Sequence, residues 1–190
     1  MEQDEYFSVQ YGLTINVELL GKNEQLPDDL AFNQEIPPLF RVARECSSLD
    51  DNVDQSLSKL TKEESKPLLN YLTAQNNKIN LLLSYVLSQQ NDPTKRYITR
   101  TFGASRLSFL SKAAFPVGSI VRVKLFLDKP SAAVYCYAAV TGCQVRGKYY
   151  EVALSYKRLL EDDRDLLIRA ALYVQQKLLR QRAQQRTDTQ

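Results

Sequence analysis

The chain has 190 residues, 44% hydrophobic and 25% charged, with a net charge of +3; that balance belongs to an ordinary folded protein with one sizeable core. It contains no histidine, which removes Ser-His-Asp and Cys-His nucleophile activation, histidine metal sites and the usual general base near neutral pH. Its three cysteines, Cys46, Cys136 and Cys143, are odd in number and form no CxxC pair, so neither a disulfide framework nor a zinc site is expected.

The amino terminus, Met1-Glu2-Gln3-Asp4-Glu5, is acidic where a secretory signal would be basic, and no apolar run approaches the ~20 residues of a membrane span. A cytoplasmic protein without membrane insertion is therefore expected. Charge is divided unevenly: residues 1–66 carry 14 acidic and 6 basic side chains, net −8, and residues 67–190 carry 8 and 19, net +11. A chain so polarised can draw an anionic ligand to one half or pair with copies of itself.

In chain order, Leu13 to Leu19 alternates without a break, placing Leu13, Ile15, Val17 and Leu19 on one face of a half-buried strand that ends between Gly21 and Pro27. From about Asp28 to Gln90 the period becomes helical, and two or three helices fit, divided by Pro37-Pro38. The last of them has Pro67 in its first turn and a stop at Asn91-Asp92-Pro93. Leu68, Leu72, Ile79, Leu82 and Val86 form its seam, with Gln75 and Gln89 at the remaining seam positions, while Leu69, Leu81, Leu83 and Leu87 lie off it. A helix apolar on more than one side needs two packing partners. Its own barrel and another subunit are the expected pair, with the carboxy-terminal helix as the intramolecular competitor.

From Tyr97 the period of two returns. Strands are expected at Ser119–Leu127, with Val121, Val123, Leu125 and Leu127 on one face, at Val134–Thr141 before a break at Gly142, and at Tyr149–Tyr156. Short strands at this spacing suggest a small antiparallel barrel and an α+β fold class. The final helix opens on Glu161-Asp162-Asp163, carries the seam Leu167, Ala171, Val174 and Leu178, and ends in a polar basic tail. The carboxylate clusters Asp28-Asp29, Asp50-Asp51 and Glu161-Asp162-Asp163 read as solvated caps or loop residues rather than acid/base pairs. No GxGxxG or P-loop spacing occurs. The basic residues are scattered rather than gathered on one reading helix, so nucleic acid is not an expected partner.

Residues 101–127, from Thr101-Phe102-Gly103-Ala104-Ser105-Arg106 through Phe115-Pro116-Val117-Gly118 to Leu127, resemble the middle of a PilZ domain. Lys148 to Tyr156 is similar to the family's strand ending in an aromatic, Leu159 to Ile168 to its acidic-opening helix, and Tyr6 to Val9 with Leu13 to Leu19 to its first strand and lead-in. The resemblance covers about 100 residues in two blocks around the helical region. It implies a small PilZ-like β-barrel with a helical insertion and a carboxy-terminal helix. The units would be 1–24 (first strand and lead-in), 25–92 (oligomerising insertion), 93–157 (remainder of the barrel) and 158–190 (helix and tail). It also implies a non-enzymatic cyclic di-GMP receptor or adaptor that needs no cofactor, assembles as a homo-oligomer, by analogy a tetramer, and meets protein partners in a signalling pathway. A ligand-independent oligomeric scaffold is the alternative.

The family grips its ligand by RxxxR ahead of the first strand and by a D/N-x-S-x-x-G turn. Here the two arginine positions hold Asp4 and Ser8, and the turn positions hold Thr101, Gly103 and Arg106. Losing charge-assisted contacts to two phosphates weakens binding on the order of a thousandfold or more. A displaced RxxxR at Arg96 and Arg100, beside Arg106, is the expected alternative anion site. The same spacing recurs at Arg182 and Arg186, so the motif alone is uninformative.

Overall fold

The computed structural model describes residues 8–21, 23–57 and 66–187; Asp4, Tyr6 and Phe7 of the lead-in lie outside them. The amino-terminal edge is one strand in two pieces, Ser8–Gln10 (β1) and Thr14–Leu19 (β2), both antiparallel to Arg96–Gly103 (β3). Between the pieces the register along β3 slips by one residue, since Ser8 faces Gly103 and Thr14 faces Ile98. Thr99 holds the interruption: its buried hydroxyl accepts from the Leu13 N–H at 2.8 Å and donates to the Tyr11 carbonyl at 2.7 Å. The backbone groups freed by the slip are thereby satisfied.

Arg106–Ser111 (β4), Ile120–Leu127 (β5), Ala132–Arg146 (β6) and Tyr149–Arg158 (β7) complete the sheet. The order β3-β2-β5-β6-β7-β4 closes on itself through β3–β4 pairing, making a six-stranded antiparallel barrel, with β1 continuing the β2 edge. The expected alternation holds in β5, where Val121, Val123, Leu125 and Leu127 are buried. Leu19 departs from its expected face and is exposed. Gly142 does not end β6; the strand passes through it at a register shift opposite β7. Left-handed backbone at Gly118 and Gly147 makes the two expected turns.

Among the described residues, four α-helices pack around the barrel: Asp29–Glu35 (α1), Pro38–Leu57 (α2), Lys66–Ser88 (α3) and Glu161–Thr187 (α4). Asp28 caps α1, its carboxylate accepting from the Ala31 N–H at 2.8 Å, and Pro38 occupies the first position of α2, where a missing N–H costs nothing. Asp50 and Asp51 fall inside α2 rather than at a helix start. Two cores result. The barrel interior is sealed by Leu166, Leu167, Ala170, Ala171 and Val174 of α4. A second core lies outside the barrel wall, where Phe32, Ile36 and Phe40 pack on Ala133, Tyr135 and Tyr137. The first nine residues of β6, Ala132 to Val140, are thus buried on both faces and continuously apolar rather than alternating.

Candidate ligand hollow and assembly face

Outward positions of β3 and β4 carry Arg96, Ile98 and Arg100 on one strand and Arg106, Ser108 and Leu110 on the other, with Lys112 just past the end of β4. Beneath them, inward-facing Tyr97 and Phe109 meet at 4.8 Å with their rings tilted by 53°, and Phe115 meets Phe109 edge-on at 5.5 Å, which stiffens this part of the wall. Arg96, Arg100, Lys112 and Tyr149 line a hollow of about 620 Å³ on that outer surface. Its cations are partly engaged: the Arg96 Nε donates to Asn91 Oδ1 at 3.1 Å, and Arg100 Nη1 lies 3.2 Å from a Glu151 oxygen that Arg146 Nε also reaches at 3.0 Å.

Arg106 is not part of this hollow. It lines a separate one of about 380 Å³ with the hydroxyl-bearing Thr101, Ser105, Ser108, Thr141 and Ser155. The expected group of three arginines is therefore divided, with Arg96 and Arg100 together and Arg106 apart. The departed turn positions Thr101 and Arg106 meet in the second hollow, whose chemistry is five hydroxyls and one guanidinium. Lys112 and Tyr149 escaped sequence reasoning; the signal was that Lys112 shares the outward parity of Arg106, Ser108 and Leu110.

The helix α3 places its leucines on two different faces. Leu83 and Leu87 turn toward the barrel, and Leu87 belongs to the second core. Ser84 Oγ adds a 2.9 Å hydrogen bond to Ser131 Oγ beside β6. The seam Leu68, Leu72, Ile79, Leu82 and Val86 lies roughly a quarter-turn away on the helical wheel. Of it, Leu68 is 50% exposed, Ile79 53% and Leu82 66%, and Leu72 is partly covered. The carboxy-terminal seam does not cover these residues: Leu167, Ala171 and Val174 are spent inside the barrel mouth, with Leu178 packed at its edge.

One buried and one partly buried polar joint fasten the insertion to the barrel. Asp163, expected as a solvated cap, is instead fully buried and paired with Arg44 of α2, Nε to Oδ1 at 2.8 Å and Nη2 to Oδ2 at 3.3 Å. Burial drives its pKa up to about 6 against the opposing pull of Arg44. On the other side, the Tyr137 hydroxyl donates to Glu35 of α1 and accepts from Arg122 Nε at 3.2 Å, and Tyr135 also reaches Glu35. Desolvation holds the Tyr135 and Tyr137 phenols above their usual range, so both stay neutral donors. Among the described residues, no group of three or more acidic or cysteine side chains is placed to hold a metal. No described helix is long and apolar enough to cross a membrane.

No protein-family model matches the sequence, and no curated protein matches it. Solved structures do match its shape. One is a pathogenic protein from Xanthomonas campestris, described as a new tetrameric PilZ domain self-assembled via an unusual helical bundle. It is 15% identical with a TM-score of 0.58, over 93% of this chain and 92% of that one. Another is the Bacillus subtilis inhibitor of motility MotI/DgrA, 9% identical with a TM-score of 0.50 over 93% of this chain. The alignment takes in 53% of the Bacillus chain, so this chain spans about half of that protein's length. At these identities the likeness shows the fold: a PilZ-like barrel with added helices.

Proposed function

We propose that this PilZ-like chain is a non-catalytic signalling module, a cyclic di-GMP receptor or adaptor whose output runs through protein contacts made by an oligomer assembled on α3. The observation that carries this reading is the exposed seam Leu68, Ile79 and Leu82, left uncovered by both the barrel and α4. Fully burying a large aliphatic side chain contributes about 1.5–3 kcal/mol, so covering three that are half to two-thirds exposed contributes a few kcal/mol per chain, a sizeable fraction of the stability of a domain. The Xanthomonas protein of similar fold, named as a tetramer built through a helical bundle, supports a second copy as the cover and a tetramer as the assembly. Gln75 and Gln89 at seam positions would set register and copy number at some cost in strength.

The ligand enters at the hollow of Arg96, Arg100 and Lys112, where two guanidiniums and an ammonium face an opening wide enough for a nucleotide. Binding there is weak, because Arg100 must leave Glu151 to reach a phosphate. That engagement, with Thr101, Gly103 and Arg106 at the turn positions, supports a second reading, an oligomeric scaffold that has lost its ligand.

Titration calorimetry with cyclic di-GMP at moderate salt separates the two. The receptor reading expects weak binding that disappears in the Arg96→Ala, Arg100→Ala double variant. An oligomer with no measurable binding favours the scaffold. Tight binding that survives both substitutions contradicts the placement of the site, and turnover of the nucleotide by the pure protein contradicts the non-catalytic role.

A further inference from the structure

Another concavity, which shares no lining residue with the arginine hollow, lies where α4 crosses the barrel mouth and encloses about 230 Å³. Its lining divides by chemistry. The inner part is Leu13, Phe102, Leu127 and Val174, buried core residues without a hydrogen-bonding side chain, with the half-buried Tyr11 phenol packed edge-on to Phe102. The outer part holds two exposed cations, Lys129 from the β5–β6 turn and Lys177 from α4, with the single acid Asp128 beside them. Lys129 is held in place over the ring of Tyr173, its ammonium 5.8 Å from the centroid. Lys177 lies one helical turn beyond Tyr173, on the same face of α4.

We propose that this slot binds a small monoanion with an apolar tail, an aryl or medium-chain carboxylate. The tail would lie against Leu13, Leu127 and Val174 while the carboxylate meets the two ammonium groups. Two lysines against one aspartate leave the rim with a net single positive charge, which matches a carboxylate better than a dianionic phosphate. A nucleobase fits poorly, since the several donors and acceptors of its edge would meet at most the Tyr11 hydroxyl on a largely apolar floor. The volume is also below the roughly 300–1,000 Å³ of pockets that take larger ligands. An occupant would touch the barrel and α4 at once, so the slot is a second input distinct from the arginine hollow, and it does not depend on that hollow binding anything.

The test uses the full chain, with octanoate and octylammonium as probes and methyl and aromatic NMR shifts as readout. Octanoate is expected to bind saturably and to move the resonances of Leu13, Leu127 and Val174, with octylammonium much weaker. Reversing the rim with Lys129→Glu and Lys177→Glu, both on the exposed surface, should weaken octanoate by about tenfold or more and favour octylammonium. Filling the floor with Ala170→Leu should abolish binding of both. Equal binding of the two probes by the unmodified chain, octanoate affinity unchanged by the rim reversal, or no saturable shift at the floor residues would overturn the proposal. The rim substitutions leave the core untouched, so they decide the matter even if Ala170→Leu does not fold.

Discussion

The Asp163 carboxylate, in the first turn of α4, is wholly removed from solvent and accepts two hydrogen bonds from Arg44, 119 residues earlier in the chain on α2. This is a buried ionic joint between the helical insertion and the helix that closes the barrel; an exposed one, Arg158 of β7 to Asp29 of α1 at 2.6 Å, joins the insertion to the wall. Removing Arg44 strands a buried charge, so Arg44→Met is expected to cost about 3–5 kcal/mol near neutral pH, and Asp163→Asn markedly less. Urea unfolding of the two variants checks the order.

The same joint fixes a dependence on pH. Asp163 has its folded-state pKa raised from 3.8 to about 6, so the folded chain binds this proton more tightly than the unfolded one. The contribution to stability is full below the unfolded value and is lost as pH rises through about 6. Relative to the unmodified chain, Asp163→Asn should therefore gain about 2 kcal/mol between pH 4.5 and pH 7. Protonation also weakens the grip on Arg44, since Arg44 favours the charged form. The opening of α2, read from hydrogen-exchange protection after correction for the intrinsic slowing of amide exchange at low pH, should accordingly become easier on acidification even while this residue's share of global stability grows.

Glu151 restrains the candidate hollow by holding both Arg100 and Arg146. Glu151→Gln releases two guanidiniums without altering the shape of the strand. Cyclic di-GMP, measured by calorimetry, should then bind about tenfold more tightly than to the unmodified chain. A fall in affinity would mean that Glu151 orients Arg100 for the ligand instead of competing with it.

Tyr137 joins α1 to the barrel through Glu35 while also receiving Arg122. Tyr137→Phe keeps the ring contact with Phe32 and deletes the hydroxyl alone. The expected cost is about 0.5–1.5 kcal/mol, that of ordinary hydrogen bonds, since Glu35 is exposed and Arg122 keeps Glu18 as a partner. Hydrogen exchange should report faster opening in α1, with β2 and β5 unchanged.

The parts of this fold that read plainly from sequence are those with one wet face. In β5 the alternation of Val121, Val123, Leu125 and Leu127 with Arg122 and Lys124 follows directly from a strand facing core on one side and solvent on the other. Strand β6 hides its pattern because Tyr135 and Tyr137 are covered by α1 and α2, while Val134 and Cys136 face the barrel interior. Its extension through Gly142 to Arg146 was illegible for another reason: that stretch is largely exposed, and a glycine at the register shift opposite β7 looks like a strand end. The stripe on α3 was visible in the spacing of Leu68, Ile79 and Leu82, and so was the division from Leu83 and Leu87. The Arg44–Asp163 joint could not be seen, since nothing local marks an acidic helix start as buried when its partner is 119 residues away. The division of Arg96 and Arg100 from Arg106 likewise depends on the bulge between Thr99 and Thr101 and on the path of β4, neither of which arginine spacing encodes.

Whether α3 holds copies of the chain together is read most directly by sedimentation equilibrium of the unmodified protein beside Ile79→Lys. Ile79 is half exposed within one chain, so a lysine there has no reason to unfold a monomer, but at the centre of a helical bundle it buries charge against apolar neighbours. The expected result is a stable oligomer at micromolar concentration that Ile79→Lys converts to folded monomer with its far-ultraviolet circular dichroism retained. A monomeric unmodified protein at that concentration, or an oligomer indifferent to Ile79→Lys, would contradict assembly through this seam.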